Sequence, residues 1–451
     1  MELKRKIYEK ILSWKNTSRG QTALLIEGAR RIGKSTIAEK FAKENYKSYV
    51  IIDFAIVSKK IKDSFNENAN KLDILFQDIS LEYNVRLYNK ESLIIFDEVQ
   101  RFPKAREMIK YLVKDGRYDY IETGSLISIK ENVENIVIPS EEEKIKMYPL
   151  DFEEFLVAAN EDILLDYIKD CFDKKISLKN EFHKKAMRLF NEYILVGGMP
   201  QSVVKYFENN RDFEECDNAK RQILSLYRDD IKKAEKKYRL KVASLFDNIP
   251  NYLSTHEKKI SFNKSNKRID YFDNALFWLD DSMMCLLCYK CLDPNVGFAL
   301  NKDDSAVKCY FCDTGLLFSL AFSKKEIASG NLYKNIINGK SSLNKGMLFE
   351  NVVAQELVSK ENKLYFYTHY SEEKHRNDIE IDFLLSNGSK TNLKVIPVEV
   401  KSSKNYTKIS FDKFKEKFSK RIDYSIIIIH PKQFSIEGKN IKIPPYMTFC
   451  L

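Results

Sequence analysis

The residues whose types and spacing could do chemistry begin with Gly28-Ala-Arg-Arg-Ile-Gly33-Lys34-Ser35. They fit G-x-x-x-x-G-K-[ST], directly after the apolar run Thr22 to Ile26 and directly before the amphipathic stretch Ser35 to Glu44. Glycines let a backbone wrap a phosphate chain, and the N–H groups opening a helix point at it. In that arrangement Lys34 reaches the β- and γ-phosphates, the Ser35 hydroxyl coordinates Mg²⁺, and Thr36 joins the nucleotide-binding set. The second half of such a site is Leu93-Ile-Ile-Phe-Asp97-Glu98, four apolar residues of a buried strand with a carboxylate at its tip. Asp97 is the expected metal ligand, and Glu98 is placed to polarise an attacking water, which marks a hydrolase rather than a kinase. A further strand, Asp119 to Thr123, ends in Thr123-Gly-Ser125. Its hydroxyls suit a γ-phosphate sensor, and a plain polar turn accounts for them nearly as well. Arg101, Arg106 and Arg117 are candidates for an arginine finger on a neighbouring subunit, although solvated surface suits each more readily.

A second constellation lies in the last third: Glu350 in a helical stretch, then Ile379-Glu-Ile-Asp382-Phe, then Pro397-Val-Glu399-Val-Lys401. Residues two apart on a strand share a face, so Glu380 projects with Asp382 and Glu399 with Lys401. Pairing those strands would bring Asp382 and Glu399 to one divalent cation, with Glu350 added from the helix. Hard oxygen ligands suit Mg²⁺ or Mn²⁺. Lys401 would then position or deprotonate a water, or stabilise charge growing on a phosphodiester. This is the D…E-x-K arrangement of restriction-endonuclease-like folds. Alternating charge on a solvated strand explains the same string equally well. The basic stretch Lys404 to Arg421 after it would suit phosphate contacts.

Other chemistry-bearing residues read as structural. Cys285, Cys288, Cys291, Cys309 and Cys312 invite a zinc reading. The residues between them are Leu-Leu, Tyr-Lys and Tyr-Phe rather than knuckle glycines, and positions three apart on a strand face opposite sides. Core packing is the expectation. His183, His256, His369, His375 and His430 show no metal-site spacing, and the basic run after Arg228 reads as a solvated helix face.

The elements that must position these residues follow from periodicity. Strand-sized apolar runs at 22–26, 49–54, 93–96 and 120–123 alternate with helical stretches, which implies a parallel α/β sheet. From about Pro149 the pattern is helical, broken by Gly197-Gly-Met-Pro200, and from about Asn301 it returns to α/β, with strands at Ile379 to Leu385 and Val395 to Val400. The expected domains are residues 1–150, 151–300 and 301–451. Lys and Arg number 75 against 65 Asp and Glu, a net charge of +10 that fits a polyanionic partner such as DNA or RNA. A mean hydropathy of −0.41 and strand-length apolar runs leave no transmembrane segment, and eight cysteines do not make a secreted disulfide scaffold. A soluble, cytoplasmic protein is expected.

Taken in order, LLIEGARRIGKSTIAEKFA, LIIFDEVQRFPKAREMIKYL, IETGS, YPLDFEEFL, GGMP, CDTGLL, NKGMLFENVVAQEL, IEIDFLL and PVEVKSSKN span the chain. Together they resemble the prokaryotic AAA-superfamily ATPases that carry a C-terminal domain of uncharacterised function with nuclease-like motifs. The resemblance implies a P-loop ATPase domain, a helical, winged-helix-like middle region and a restriction-endonuclease-like end. It implies nucleotide roles for Gly28, Gly33, Lys34, Ser35, Asp97 and Glu98, with ATP and Mg²⁺ as cofactors. Glu350, Asp382, Glu399 and Lys401 match the nuclease-like positions. Two functions follow as expectations: an ATPase acting on nucleic acid through a metal-dependent nuclease-like module, or an ATP-dependent switch whose C-terminal domain binds protein or nucleic acid without cleavage.

Overall fold

The apolar runs that end in glycine or acid become the strands of one parallel sheet. A computed structural model describes residues 1–18, 20–125, 139–255, 260–261, 269–328, 333, 336–337, 345–386, 394–403, 406–422 and 426–451. His256 and Lys404 lie outside the described residues. The chain forms two compact units. One comprises Lys4–Tyr148 with Asp281–Met283, the other Met1–Leu3, Pro149–Asp280 and Met284–Leu451.

In the first unit the order is α1 (Ile7–Ser18), β1 (Ala23–Glu27), α2 (Lys34–Asn45), β2 (Ser48–Asp53), α3 (Lys59–Glu67) and α4 (Leu72–Tyr83). Then come β3 (Ser92–Asp97), α5 (Pro103–Asp115), β4 (Asp119–Gly124) and β5 (Glu142–Lys146). The strands lie in the order β2-β3-β4-β1-β5, every neighbouring pair parallel. β1 is buried along its whole length, as a central parallel strand must be. One face packs on Phe54, Phe65, Phe96 and Phe102, whose rings meet at centroid distances of 5.4–6.0 Å. β5, with the sequence Glu-Glu-Lys-Ile-Lys, has no apolar run to announce it. It is an edge strand, where charge is tolerated because one side of the ladder stays open.

The second unit opens with helices, among them Phe152–Ala158, Asn180–Val196, Pro200–Glu208, Phe213–Ile231, Arg239–Ser254 and Ile269–Asp281. The basic residues of the Arg228 stretch are exposed and pair locally: Arg228 with Asp247 at 2.8 Å, Lys232 with Asp229 at 2.7 Å. That is the solvated face expected of them. The strands are β6 (Ile260–Ser261), β7 (Cys285–Cys291), β8 (Lys302–Phe311), β9 (Leu364–Ser371), β10 (Arg376–Ile381), β11 (Phe383–Ser386), β12 (Val395–Val400), β13 (Ile426–Ile429), β14 (Ser435–Glu437) and β15 (Asn440–Ile443). They make two mixed sheets, β10-β9-β7-β8-β6 and β11-β12-β13-β15-β14. The expected boundary near residue 300 falls inside the β7–β8 hairpin, and β7 also pairs in parallel with β9. Long-range sheet pairing therefore ties the segments on either side of residue 300 into one sheet. The cysteines of β7 and β8 are buried.

The Gly197-Gly-Met-Pro200 break meets two of the other motif segments here. The Gly198 N–H donates to Asp313, and its carbonyl accepts from Leu150 N–H at 2.7 Å. Asp313 also caps the helix Thr314–Ala321 by accepting from Leu316 N–H at 2.8 Å. A Cβ at Gly198 would overlap Leu150, lying 2.7 Å from its nitrogen, and one at Gly315 would lie 2.5 Å from Gly197 N. Gln355 closes the group, accepting from Thr314 N–H at 2.9 Å and donating to the Tyr193 hydroxyl at 2.8 Å. These glycines allow backbone to touch backbone.

Candidate functional site

The phosphate-type loop joins β1 to α2. Gly33 takes φ 92°, a left-handed conformation that opens the helix and suits glycine. Gly28 is needed for a different reason: a Cβ there would meet the Ile32 side chain and lie 2.6 Å from the Met147 carbonyl oxygen. Lys34 folds into the loop, its Nζ donating to the Gly28 and Ala29 carbonyls at 3.0 and 2.9 Å. The first-turn N–H groups of Lys34, Ser35 and Thr36 precede the helix's own ladder, which starts with Ile37 N–H to Gly33 O at 3.0 Å.

Strand order decides what faces this loop. β4 lies between β1 and β3, so the tips of all three converge. Ser35 Oγ donates to Asp97 Oδ1 at 2.7 Å, and Thr123 Oγ1 donates to the same oxygen. One carboxylate oxygen thus gathers a hydroxyl from the loop and another from β4. This donor set fits Mg²⁺: hard oxygens, one of them charged, beside a helix N-terminus. Glu98 follows Asp97 with φ 52°, its carboxylate accepting from Gln100 Nε2 at 2.6 Å and lying 3.9 Å from Arg101. Ser125 follows β4 at the same end of the sheet.

Arg106 corrects the expectation of solvated surface. It is 2% exposed and makes a bidentate pair with Glu142 at 3.1 and 3.0 Å. The edge strand β5 supplies that carboxylate, and its position could not be read locally. Burial, with Glu142 alongside, pushes the Glu122 carboxyl of β4 well above the usual range. Arg117 pairs with Asp73 and Asp115, and Arg101 is about half exposed.

In the second unit the sequence expects one strand from Ile379 to Leu385. It breaks at Asp382 instead, β10 joining the first sheet and β11 pairing antiparallel with β12 of the second. The break aims Asp382 at β12, where its Oδ2 accepts from Val400 N–H at 2.9 Å. Asp382 and Glu399 are adjacent across β11 and β12, and Glu350 projects from the helix Lys345–Ser359, 1% exposed.

What these carboxylates surround is a lysine. Lys308, on β8, has no exposed side-chain surface, and its Nζ lies 2.9 Å from Glu350, 3.4 Å from Asp382 and 3.6 Å from Glu380. Burial opposes its charge, yet Glu350, Asp382 and Glu380 outweigh that and hold the ammonium well above the usual lysine range. Tyr310 donates its hydroxyl to the same Glu350 oxygen. Lys401 pairs with Glu399, whose carboxyl is pushed up to about 7, chiefly by burial. As they stand, Glu350, Asp382 and Glu399 do not fit a divalent ion. The ammonium holds the position between the first two, and among the described residues no three His, Cys, Asp or Glu form a metal-binding group. Lys308 escaped the sequence reading. Its one signal is a lysine within the otherwise apolar run Ala306-Val307-Lys308-Cys309-Tyr310-Phe311, which demands a buried partner.

Three family models match. Residues 20–156 match an AAA domain, residues 187–326 a domain of unknown function (DUF8612), and residues 345–448 another domain of unknown function (DUF4143). Lys308 thus comes from one matched segment and the acids around it from another. No curated protein matches the chain. Among solved structures, a DNA replication initiation factor is similar at 12% identity over 74% of this chain and 92% of its own, with a TM-score of 0.24. The Pif1 helicase from Candida albicans is similar at 14% identity over 42% of this chain and 48% of its own, with a TM-score of 0.22. At such scores neither likeness bears on the chemistry. The match over residues 20–156, on a parallel sheet that brings loop, acid and hydroxyl together, makes this part of the chain an AAA-type P-loop domain.

Proposed function

We propose that the chain binds and hydrolyses ATP with Mg²⁺ in its first unit and acts as a switch whose C-terminal α/β part binds nucleic acid without cutting it. The observation that carries the ATPase reading is the meeting of Ser35 Oγ and Thr123 Oγ1 on one oxygen of Asp97. Bound Mg²⁺ would neutralise phosphate charge during transfer to water. Gly28, Gly33, Lys34, Ser35 and Thr36 cradle the phosphates, and Asp97 with Ser35 holds the ion. Glu98 orients the water, and Thr123 and Ser125 respond to the γ-phosphate. The non-cleaving reading is supported by Lys308, which already neutralises the acids a nuclease would reserve for metal.

Metal-dependent cleavage is the second reading. It is favoured by the nearness of Asp382, Glu399 and Lys401, and it requires Lys308 to leave. Two assays test the proposal. Lys34→Ala should abolish ATP binding, while Glu98→Gln should bind ATP and lose about 10²- to 10⁴-fold in turnover. Purified protein with Mg²⁺ or Mn²⁺, with and without ATP, should bind DNA or RNA and leave it intact. Metal-dependent cleavage that Lys401→Ala removes would replace the switch reading with the nuclease one.

A further inference from the structure

β12, β13 and β15 run parallel in one sheet, so their carboxyl ends share an edge: Lys401 N–H donates to Ile429 O at 2.8 Å, and His430 N–H to Ile443 O at 3.0 Å. Ligands of open α/β sheets collect at such edges. A cavity of about 900 Å³ opens there. Among the described residues lining it, Lys184, Lys408, Lys432 and Lys442 face a single carboxylate, Glu437. Glu437 is shared by Lys408, at 2.7 Å, and Lys442, which together hold it down at about 2. Lys184 and Lys432 are exposed and pair with no acid among the described residues.

His430 supplies the second observation. It is 1% exposed and lines the cavity, and its Nδ1 accepts from Lys432 N–H at 3.0 Å. Burial, with Lys442 and Lys432 alongside, brings its pKa down to about 4, so the neutral ring carries its proton on Nε2. That Nε2–H is a buried donor with no partner among the described residues. A donor of this kind among lysines asks for an anion with several acceptor oxygens.

We propose that this cavity is a binding site for a phosphate group, delivered by the backbone of single-stranded nucleic acid. Orthophosphate would leave most of the volume empty, whereas a phosphodiester brings its nucleosides with it, and Tyr406, half-buried on the wall, is an aromatic ring of the kind on which bases stack. For the source of the phosphate the inference rests on the nucleic-acid reading above. The phosphate chemistry stands independently.

The test uses the full chain carrying Lys34→Ala, so that the P-loop does not compete. Binding of a fluorescent oligo-dT 20-mer is followed by anisotropy across a salt series. Lys184→Ala with Lys432→Ala, both at exposed positions, should weaken binding about tenfold or more and flatten the log–log salt slope by about 1.4, the value for two lost single-strand phosphate contacts. Lys232→Ala with Lys237→Ala, of equal charge change, should do neither. If the control pair lowers affinity and the cavity pair does not, the cavity proposal is overturned and nucleic-acid binding stands. If no oligonucleotide binds but AMP or pyrophosphate stabilises the protein and the cavity pair abolishes that, the site holds and its nucleic-acid source is wrong. If neither class binds, the site is refuted.

Discussion

Replacing Lys308 by methionine keeps an unbranched side chain only one heavy atom shorter and removes its charge. Its ammonium is fully buried and serves three carboxylates at 2.9–3.6 Å, of which Glu350 has only 2% of its side chain exposed. Taking one partner from a buried ion cluster strands the others, and such losses run to about 3–5 kcal/mol. The cost falls mainly on Glu350, because Glu380 and Asp382 retain 25% and 14% exposure and can be solvated in part. Each unit holds one of the two tryptophans, Trp14 and Trp278, so a Trp14→Phe background makes urea unfolding followed by fluorescence specific for the second unit. In that background Lys308→Met should lower the stability of the second unit by about 3–5 kcal/mol at pH 8. The deficit should shrink toward pH 5, as the stranded carboxyls take up protons. Adding Glu350→Gln should recover part of the loss, since the two changes act on one cluster. Mg²⁺ or Mn²⁺ should stabilise the variant by mass action and leave the parent unchanged. A deficit under about 1 kcal/mol, or one that does not change with pH, would refute Lys308 as the neutralising charge. Equal metal stabilisation of the parent would restore the cleavage reading.

Thr123→Val should lower the kcat for ATP about ten- to a hundredfold with a smaller change in KM, because a hydrogen bond to a charged group is worth about 1.5–3 kcal/mol; steady-state kinetics check it, and unchanged kcat makes Thr123 a structural turn. Gly198→Ala forces a methyl into Leu150 and should cost the second unit about 3 kcal/mol, read by the same unfolding assay. Asp313 is fully buried, and burial raises its carboxyl to about 6 despite the N–H groups of Gly198 and Leu316. The folded state therefore keeps this proton at pH values where the unfolded chain has released it. The resulting stability, about 3 kcal/mol, is complete below pH 4 and lost as pH rises through 6. Asp313→Asn should flatten that part of the stability–pH curve, and an unchanged curve would show that another group titrates there.

The AAA-type part of this protein was legible because its signals are local. The loop, the strand before it and the helix after it are contiguous, and Asp97 ends a run of apolar residues long enough to declare a buried parallel strand. The hydroxyl at Thr123 was also legible, although a polar turn explained it almost as well until β4 was seen between β1 and β3. Gly197-Gly-Met-Pro200 stood out as punctuation, and only its meeting with Asp313 and Gly315 showed that backbone contact, not flexibility, was the reason for it. The C-terminal acids were found, but their company was not. Asp382 was expected within one strand and proved to be the break between two sheets. Lys308 lies more than 40 positions before Glu350 and more than 70 before Asp382, and periodicity carries no information across such separations. Arg106 and His430 were unreadable for the same cause, since each is buried by an element distant in sequence. A short stretch of sequence specifies which residues could do chemistry. Which charges neutralise one another is a property of side chains brought together from far apart, and that is decided only when the sheets close.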